Sequence, residues 1–274
     1  MGFMPPEYLD CVVAVGIKKG DSMAWVGTGF LYGQFVKAED PKTNVYQAYL
    51  VTNRRVVEGN PEIFIRFNPL GIDDEGSNHA VSEYAVEAAN IWTSHPHEAV
   101  DVAVTALHGA KLYQHKLKYV CFGSQKHVCA LNDLKQLSAS EGDPVFVLGY
   151  PMATVPEERH YVVCHSGVIA RIRDCYERKT RDFLIDVPLF PGNRGGPVIL
   201  RGEGAVGPGG KPGRGAMLIG IAAASIHYRE TLVNTQTGTT RFVSRENSGL
   251  TAVIPVDYIQ ETIALHSRQL VRKT

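Results

Sequence analysis

The strongest constraint on this chain is a rhythm. Short runs of Val, Ile, Tyr and Phe recur from end to end, each closed by Gly, Pro, Asn or Asp. They fall at residues 12–17, 24–32, 46–52, 62–67, 102–106, 144–148, 167–172, 183–187, 197–200, 218–223 and 250–254. Many short strands with turn signals between them predict an all-β sandwich or barrel. Long amphipathic helical patterns are nearly absent. The exception is residues 256–270, where Ile259, Ile263 and Leu270 repeat at roughly helical spacing behind Pro255; this predicts a C-terminal helix docked on the β structure.

The strand rhythm weakens between residues 107 and 142, which reads as the connection between two β halves, residues 1–125 and 126–274. Three polar stretches, 68–84, 201–215 and 226–249, read as long surface loops. The middle one, RGEGAVGPGGKPGRG, is rich enough in Gly and Pro to predict mobility. No internal repeat is present.

Composition narrows the function classes. The chain has 274 residues, 44% hydrophobic and 20% charged, as in an ordinary globular protein with ample length for a core. Its 28 basic residues balance 28 acidic ones, so no global field favours nucleic acid or a membrane surface. Glu7 and Asp10 interrupt the N-terminal apolar residues, so the start does not read as a secretory signal. Cys11, Cys121, Cys129, Cys164 and Cys175 are odd in number and widely spaced. They read as reduced, mostly buried thiols, and the chain is expected to be cytoplasmic. The ten histidines show no ligand spacing such as HExxH. Neither a metal nor another cofactor is expected.

Four segments carry more information. They are Gly27-Thr28-Gly29-Phe30, Val51-Thr52-Asn53-Arg54-Arg55-Val56-Val57, Asp101-Val102-Ala103-Val104 and Gly192-Asn193-Arg194-Gly195-Gly196-Pro197. In this order they resemble the trypsin-like serine peptidases, particularly the bacterial high-temperature-requirement kind, whose segments read G-[ST]-G-F, V-T-N-x-H-V-V, D-[VIL]-A-[VL] and G-N-S-G-G-P. Gly149-Tyr150-Pro151 and the run from Gly249 to Val256 are weaker echoes. The resemblance extends from about Val12 to Ile263 and implies a chymotrypsin-like double β-barrel with a C-terminal helix.

It also implies a defect. The family's general base falls on Arg55 and its nucleophile on Arg194, and only the acid position, Asp101, is retained. A general base must accept a proton near the working pH, which a guanidinium with a pKa above about 12 cannot do. Nor can a guanidinium form an acyl bond. Peptide hydrolysis by the acyl-enzyme route is therefore expected to be absent. His95 and His97 are weak substitutes, and Cys164 and Ser166 sit in a strand-like run expected to face the core or a neighbouring strand.

By the same resemblance, an oxyanion hole falls on the amides of Gly192, Asn193 and Arg194. The wall of the S1 pocket falls on Ala222, Ala223, Ala224 and Ser225, with Pro188 near its base and no acidic residue there. Two readings of the arginines stay open. One guanidinium could pair with Asp101 and plug the cleft, or Arg54, Arg55 and Arg194 could bind an anion such as a peptide carboxylate. The expected role is a peptide- or anion-binding module with a peptide or protein partner, and not a nucleic-acid or membrane binder. The alternatives are a serine endopeptidase whose active form has His and Ser at positions 55 and 194, and a purely structural double barrel. Oligomeric state is not legible.

Overall fold

The computed structural model describes residues 4–40, 44–60, 62–69, 82–86, 92–153, 161–203 and 214–271. Its strands form two sets. The first comprises β1 (Val12–Lys19), β2 (Ser22–Ala38), β3 (Asn44–Thr52), β4 (Ile63–Pro69), β5 (Ser82–Val86), β6 (Thr93–Ser94), β7 (Ala103–Ala106), β8 (Leu117–Lys118) and β9 (Phe122–Gly123). These make a nine-stranded sheet of order β5-β4-β1-β2-β3-β7-β6, with β8 on β4 and β9 on β2. The second set comprises β10 (Pro144–Gly149), β11 (Val163–Arg171), β12 (Phe183–Asp186), β13 (Pro197–Leu200), β14 (Met217–Val233) and β15 (Thr240–Pro255). It closes into a barrel of order β10-β11-β12-β15-β14-β13. Five helices join them: α1 (Arg54–Val57), α2 (Gly109–Gln114), α3 (Leu131–Gln136), α4 (Arg173–Tyr176) and α5 (Val256–Val271). The fold is mostly β, chymotrypsin-like, and ends in the expected helix.

The side-chain period of two explains why the strands read as continuous apolar runs. On β1, Val13 and Val15 face the core of the first sheet, while Val12 and Ala14 face a second core shared by both sets of strands. Leu31 and Leu50 likewise face inward where Phe30, Tyr32, Tyr49 and Val51 face the junction. In the closed barrel Val198, Leu200 and Val253 point into the lumen, and Ile199 and Ile254 point to the junction. With both faces buried, such a strand needs apolar residues at every position. Helix α5 packs on β6, β7 and β14 and so spans the junction, burying Val256, Ile259 and Ile263.

The 107–142 connection contains α2, β8, β9 and α3. Pairing switches partners between Gly123, which lies beside Gly33 on β2, and Val128, which bridges to Leu218 on β14.

One expectation is overturned. Residues 226–249 are not a loop: β14 and β15 continue past the barrel as a two-stranded ribbon, paired from His227↔Asn247 to Leu232↔Phe242 and Val233↔Thr240. Asn234 makes the turn. Its carbonyl accepts from the Gly238 amide at 2.8 Å and its Oδ1 from the Gln236 amide at 2.9 Å. Of the other two expected loops, residues 70–81 and 204–213 lie outside the described residues, while β4 and β5 take up the ends of the first.

Candidate functional site

Three segments meet at the edge of the junction. The first is the end of β3 with α1. Asn53 is fully buried, and its Nδ2 donates to the Asp101 carbonyl at 2.6 Å. The Asp101 carboxylate, 8% exposed, accepts the backbone amide of Arg55 at 3.0 Å. Asp101 therefore holds α1 through the main chain, and among the described residues no guanidinium pairs with it, unlike the plugged-cleft reading of the two left open. Arg54 turns elsewhere, donating from Nη2 to the Glu98 carbonyl at 2.9 Å. It does not line the cleft. The side chains of Arg55, exposed, and Arg194, half-buried, do line it.

The second segment is the turn before β13. The Asn193 amide donates to the Phe190 carbonyl at 3.1 Å, the Gly196 amide to the Asn193 carbonyl at 3.0 Å, and the Gly195 amide to the Ala222 carbonyl at 3.0 Å. Gly195 has φ +91°, and a Cβ there would run into the Thr28 carbonyl, so only glycine fits. Of the three amides expected to face an oxyanion, Asn193 is thus already engaged. Those of Gly192 and Arg194 have no partner among the described residues, and both residues line the cleft.

The third segment is the start of β2. Thr28 donates its hydroxyl to the Gly192 carbonyl at 2.6 Å and accepts the Tyr150 amide there at 3.1 Å. Its own amide donates to the Arg194 carbonyl at 2.9 Å. The Thr52 hydroxyl closes the set on the Thr28 carbonyl at 2.7 Å.

Between these segments lies a cleft of about 690 Å³. Its charged lining consists of Arg55, Arg194 and Arg245, with His227 beside them and no carboxylate. None of the three arginines forms an ion pair or a side-chain hydrogen bond among the described residues. The remaining walls are Val26, Val56, Leu189, Phe190 and Pro191, with Asn60, Ser225 and Asn247 as neutral polar groups.

The expected S1 wall is only partly realised. Ser225 lines the cleft, whereas Ala222 and Ala223 are buried, and the Ala222 amide donates to the Gly196 carbonyl at 2.9 Å. Ala224, half-buried, does not line the cleft. Pro188 is exposed and outside it; Leu189 and Phe190 take that place. Sequence reading missed Phe190 and the ribbon residues His227, Arg245 and Asn247. Their only signal was the β-branched character of Thr231, Val233, Thr240 and Val243 on either side of an Asn…Gly turn.

The substitute groups are occupied or turned away. His95 accepts the His97 amide at Nδ1 (3.1 Å) and meets Glu261 through Nε2 (3.2 Å), a structural role. His97 Nδ1 accepts the Ala99 amide at 3.1 Å. Cys164 and Ser166 face solvent rather than the core or a neighbouring strand, because residues 164 and 166 fall on the outer side of β11. All five cysteines are free. Burial pushes the Cys121 and Cys175 thiols up to about 12 and Cys129 to about 11, so none of these is a thiolate nucleophile near neutral pH. Among the described residues no group of three or more His, Cys, Asp or Glu could hold a metal, and no helix is long and apolar enough to cross a membrane.

Residues 27–207, more than half of the sequence, match the family model for the trypsin-like peptidase domain. The chain belongs to the trypsin-like peptidase domain family. Among solved structures, it resembles an HtrA-type protease, AlgW, with a decapeptide, at 16% identity and a TM-score of 0.51. That alignment covers 96% of this chain and 66% of AlgW, so the trypsin-like chain spans just under two thirds of the other's length. It also resembles an inactivated protease paralogue of the scabies mite, S-I1, at 15% identity and a TM-score of 0.51, over 98% of this chain and 96% of that one. At such identities the likeness is one of fold. No curated protein matches the sequence.

Proposed function

We propose that this chain is a non-catalytic member of its family that binds a peptide or protein partner through an anionic group, a terminal carboxylate or an acidic side chain. The observation that carries the proposal is the cleft itself. Arg55, Arg194 and Arg245 line it without a counter-charge, and the free amides of Gly192 and Arg194 lie at its edge. Guanidinium groups match carboxylates bidentately, and paired amides add directional donors. By the family resemblance, Arg55 and Arg194 stand where proton transfer and nucleophilic attack are needed, and neither step is open to a guanidinium. Even a peptidase stripped of its triad retains only about 10³–10⁴-fold acceleration over water. The fold occurs with a decapeptide in AlgW and in an inactivated paralogue, so neither peptide binding nor loss of activity is foreign to it. An extended peptide would add as a strand beside Ser225. Five free thiols support a reducing compartment.

Three measurements test this. A fluorophosphonate probe should leave the chain unlabelled, and a peptidase assay should show no turnover. Calorimetric titration with peptides bearing a free C-terminal carboxylate should give binding that falls about tenfold or more in Arg194→Ala, the scale of one charge-assisted contact. Absence of heat with both proteins would discard the binding role. The double change Arg55→His with Arg194→Ser addresses the endopeptidase alternative, because regained cleavage would mean that the rest of the machinery is intact.

A further inference from the structure

The ribbon of β14 and β15 has two unlike faces. Its register sets Arg229 directly opposite Arg245 and His227 opposite Asn247. Side chains alternate along a strand, so these four share one face. His227, Arg245 and Asn247 line the cleft, which shows that this face is the one turned toward it. The ribbon's own carboxylates, Glu230 and Glu246, stand on the other face, as do the exposed Tyr228, Leu232 and Phe242. Like charges placed directly across a strand pair are unfavourable. Here neither Arg229 nor Arg245 has an acidic partner or a side-chain hydrogen bond among the described residues.

We infer that the ribbon is a second anion-recognition element, and that the ligand is an acidic peptide running from the cleft out along the Arg229–Arg245 face. This rests on reading the cleft as a binding site and extends it from one anionic group to several. The opposed guanidinium groups are placed to clamp a carboxylate between them, which would relieve the repulsion that the unliganded ribbon carries. Aspartate or glutamate side chains next to the group held at Arg194 satisfy this. Single-stranded nucleic acid fits less well. Such ligands are gripped by aromatic rings interleaved with the positive charges, and here the aromatics lie on the opposite face of a chain whose net charge is zero.

The experiment is fluorescence anisotropy on the full chain with two labelled peptides of equal length. One is a neutral Ala/Ser sequence with a free C-terminal carboxylate; the other carries Glu at alternate positions. The acidic peptide should bind about tenfold tighter or more, and the advantage should shrink with added salt. Arg229→Ser, which leaves the cleft lining untouched, should remove that advantage and leave the neutral peptide unchanged. Arg229→Glu, a second change at the same exposed position, should invert it toward a Lys-containing peptide and serves if Arg229→Ser folds poorly. Equal affinities for the two peptides, or an equal loss of both in Arg229→Ser, would overturn the inference, as would a single-stranded oligonucleotide that displaces the acidic peptide better than unlabelled peptide does. The two readings separate cleanly. If Arg194→Ala spares acidic-peptide binding while the ribbon variant abolishes it, the ribbon stands and the cleft reading fails. The reverse pattern retains the cleft and removes the ribbon.

Discussion

The hydroxyl of Thr28 donates to the Gly192 carbonyl and accepts the Tyr150 amide, and the main chain of Thr28 bonds to Arg194 and to the Thr52 hydroxyl. A side chain with no exposed surface thus positions the turn bearing the two free amides. Valine at 28 would keep the shape and leave a buried carbonyl and a buried amide unmet, each costing about 1–3 kcal/mol. Thr28→Val is expected to destabilise the chain by about 2–4 kcal/mol in urea titration and to weaken peptide binding. Unchanged stability would mean that the turn does not depend on this bond. The sequence showed Thr28 within Gly27-Thr28-Gly29-Phe30 but could not show its task, because the partners of its hydroxyl lie more than 120 positions away. Arg55, Asp101 and Arg194 were legible because each sits inside a motif. Pro188 was misplaced and Phe190 missed because no local pattern tells which of two neighbouring residues turns inward.

At the scale of elements, the ribbon is where sequence reading failed, and the cause is physical. Strands are recognised by the apolar face they bury, and beyond Ser225 both faces of β14 and β15 meet solvent. With no buried side, the apolar run that marked the other strands disappears, and charged residues take its place. Helix α5 was legible for the opposite reason, since it buries a stripe of Ile259 and Ile263 against the junction. The ribbon's like-charge register leads to a prediction about the unliganded chain. Arg245→Thr should raise its stability by about 0.2–1 kcal/mol, read as a higher midpoint in low-salt urea titration, with the gain fading as salt screens the pair. A loss of stability at low salt would mean that Arg245 is compensated by a contact other than those seen.

Among the described residues, three histidines, one buried and two half-buried, stand where desolvation disfavours charge. Burial lowers the pKa of His127, His165 and His266 below the ordinary 6.5. His266 is the clearest case. Thr93 gives its hydroxyl hydrogen to Gln269 (2.8 Å), so His266 Nδ1 must donate to the Thr93 oxygen (3.0 Å), and Nε2 is left buried without a partner. A proton added at Nε2 would have nothing to bond. Because the unfolded chain takes up these protons more readily than the folded one, stability is full above about pH 6.5 and declines as pH falls below it. Thermal melts from pH 8 to 5 should show that decline, and His266→Asn should flatten it. A flat wild-type profile would contradict the burial argument. His266 also touches Tyr49 edge-on, ring centroids 5.6 Å apart, so protonation would load the junction between the two sets of strands. The two-part organisation was legible in the fading strand rhythm of residues 107–142. The core shared by both sets was not, because its members are scattered from Tyr8 to Ile263.

Asp101 has a structural task in this chain, and its surroundings define it. Its carboxylate carries the Arg55 amide and its carbonyl carries the Asn53 side chain, so both groups hold α1 to the segment before β7. That task involves no substrate and persists whatever becomes of the chemistry. The side chain at position 55 can change without loss of this bond, because the donor is a main-chain amide, whereas replacing the Asp101 carboxylate removes it. An aspartate in such a segment is therefore no sign of peptidase activity by itself, because here its carboxylate is bonded to a main-chain amide that any residue at position 55 other than proline would supply.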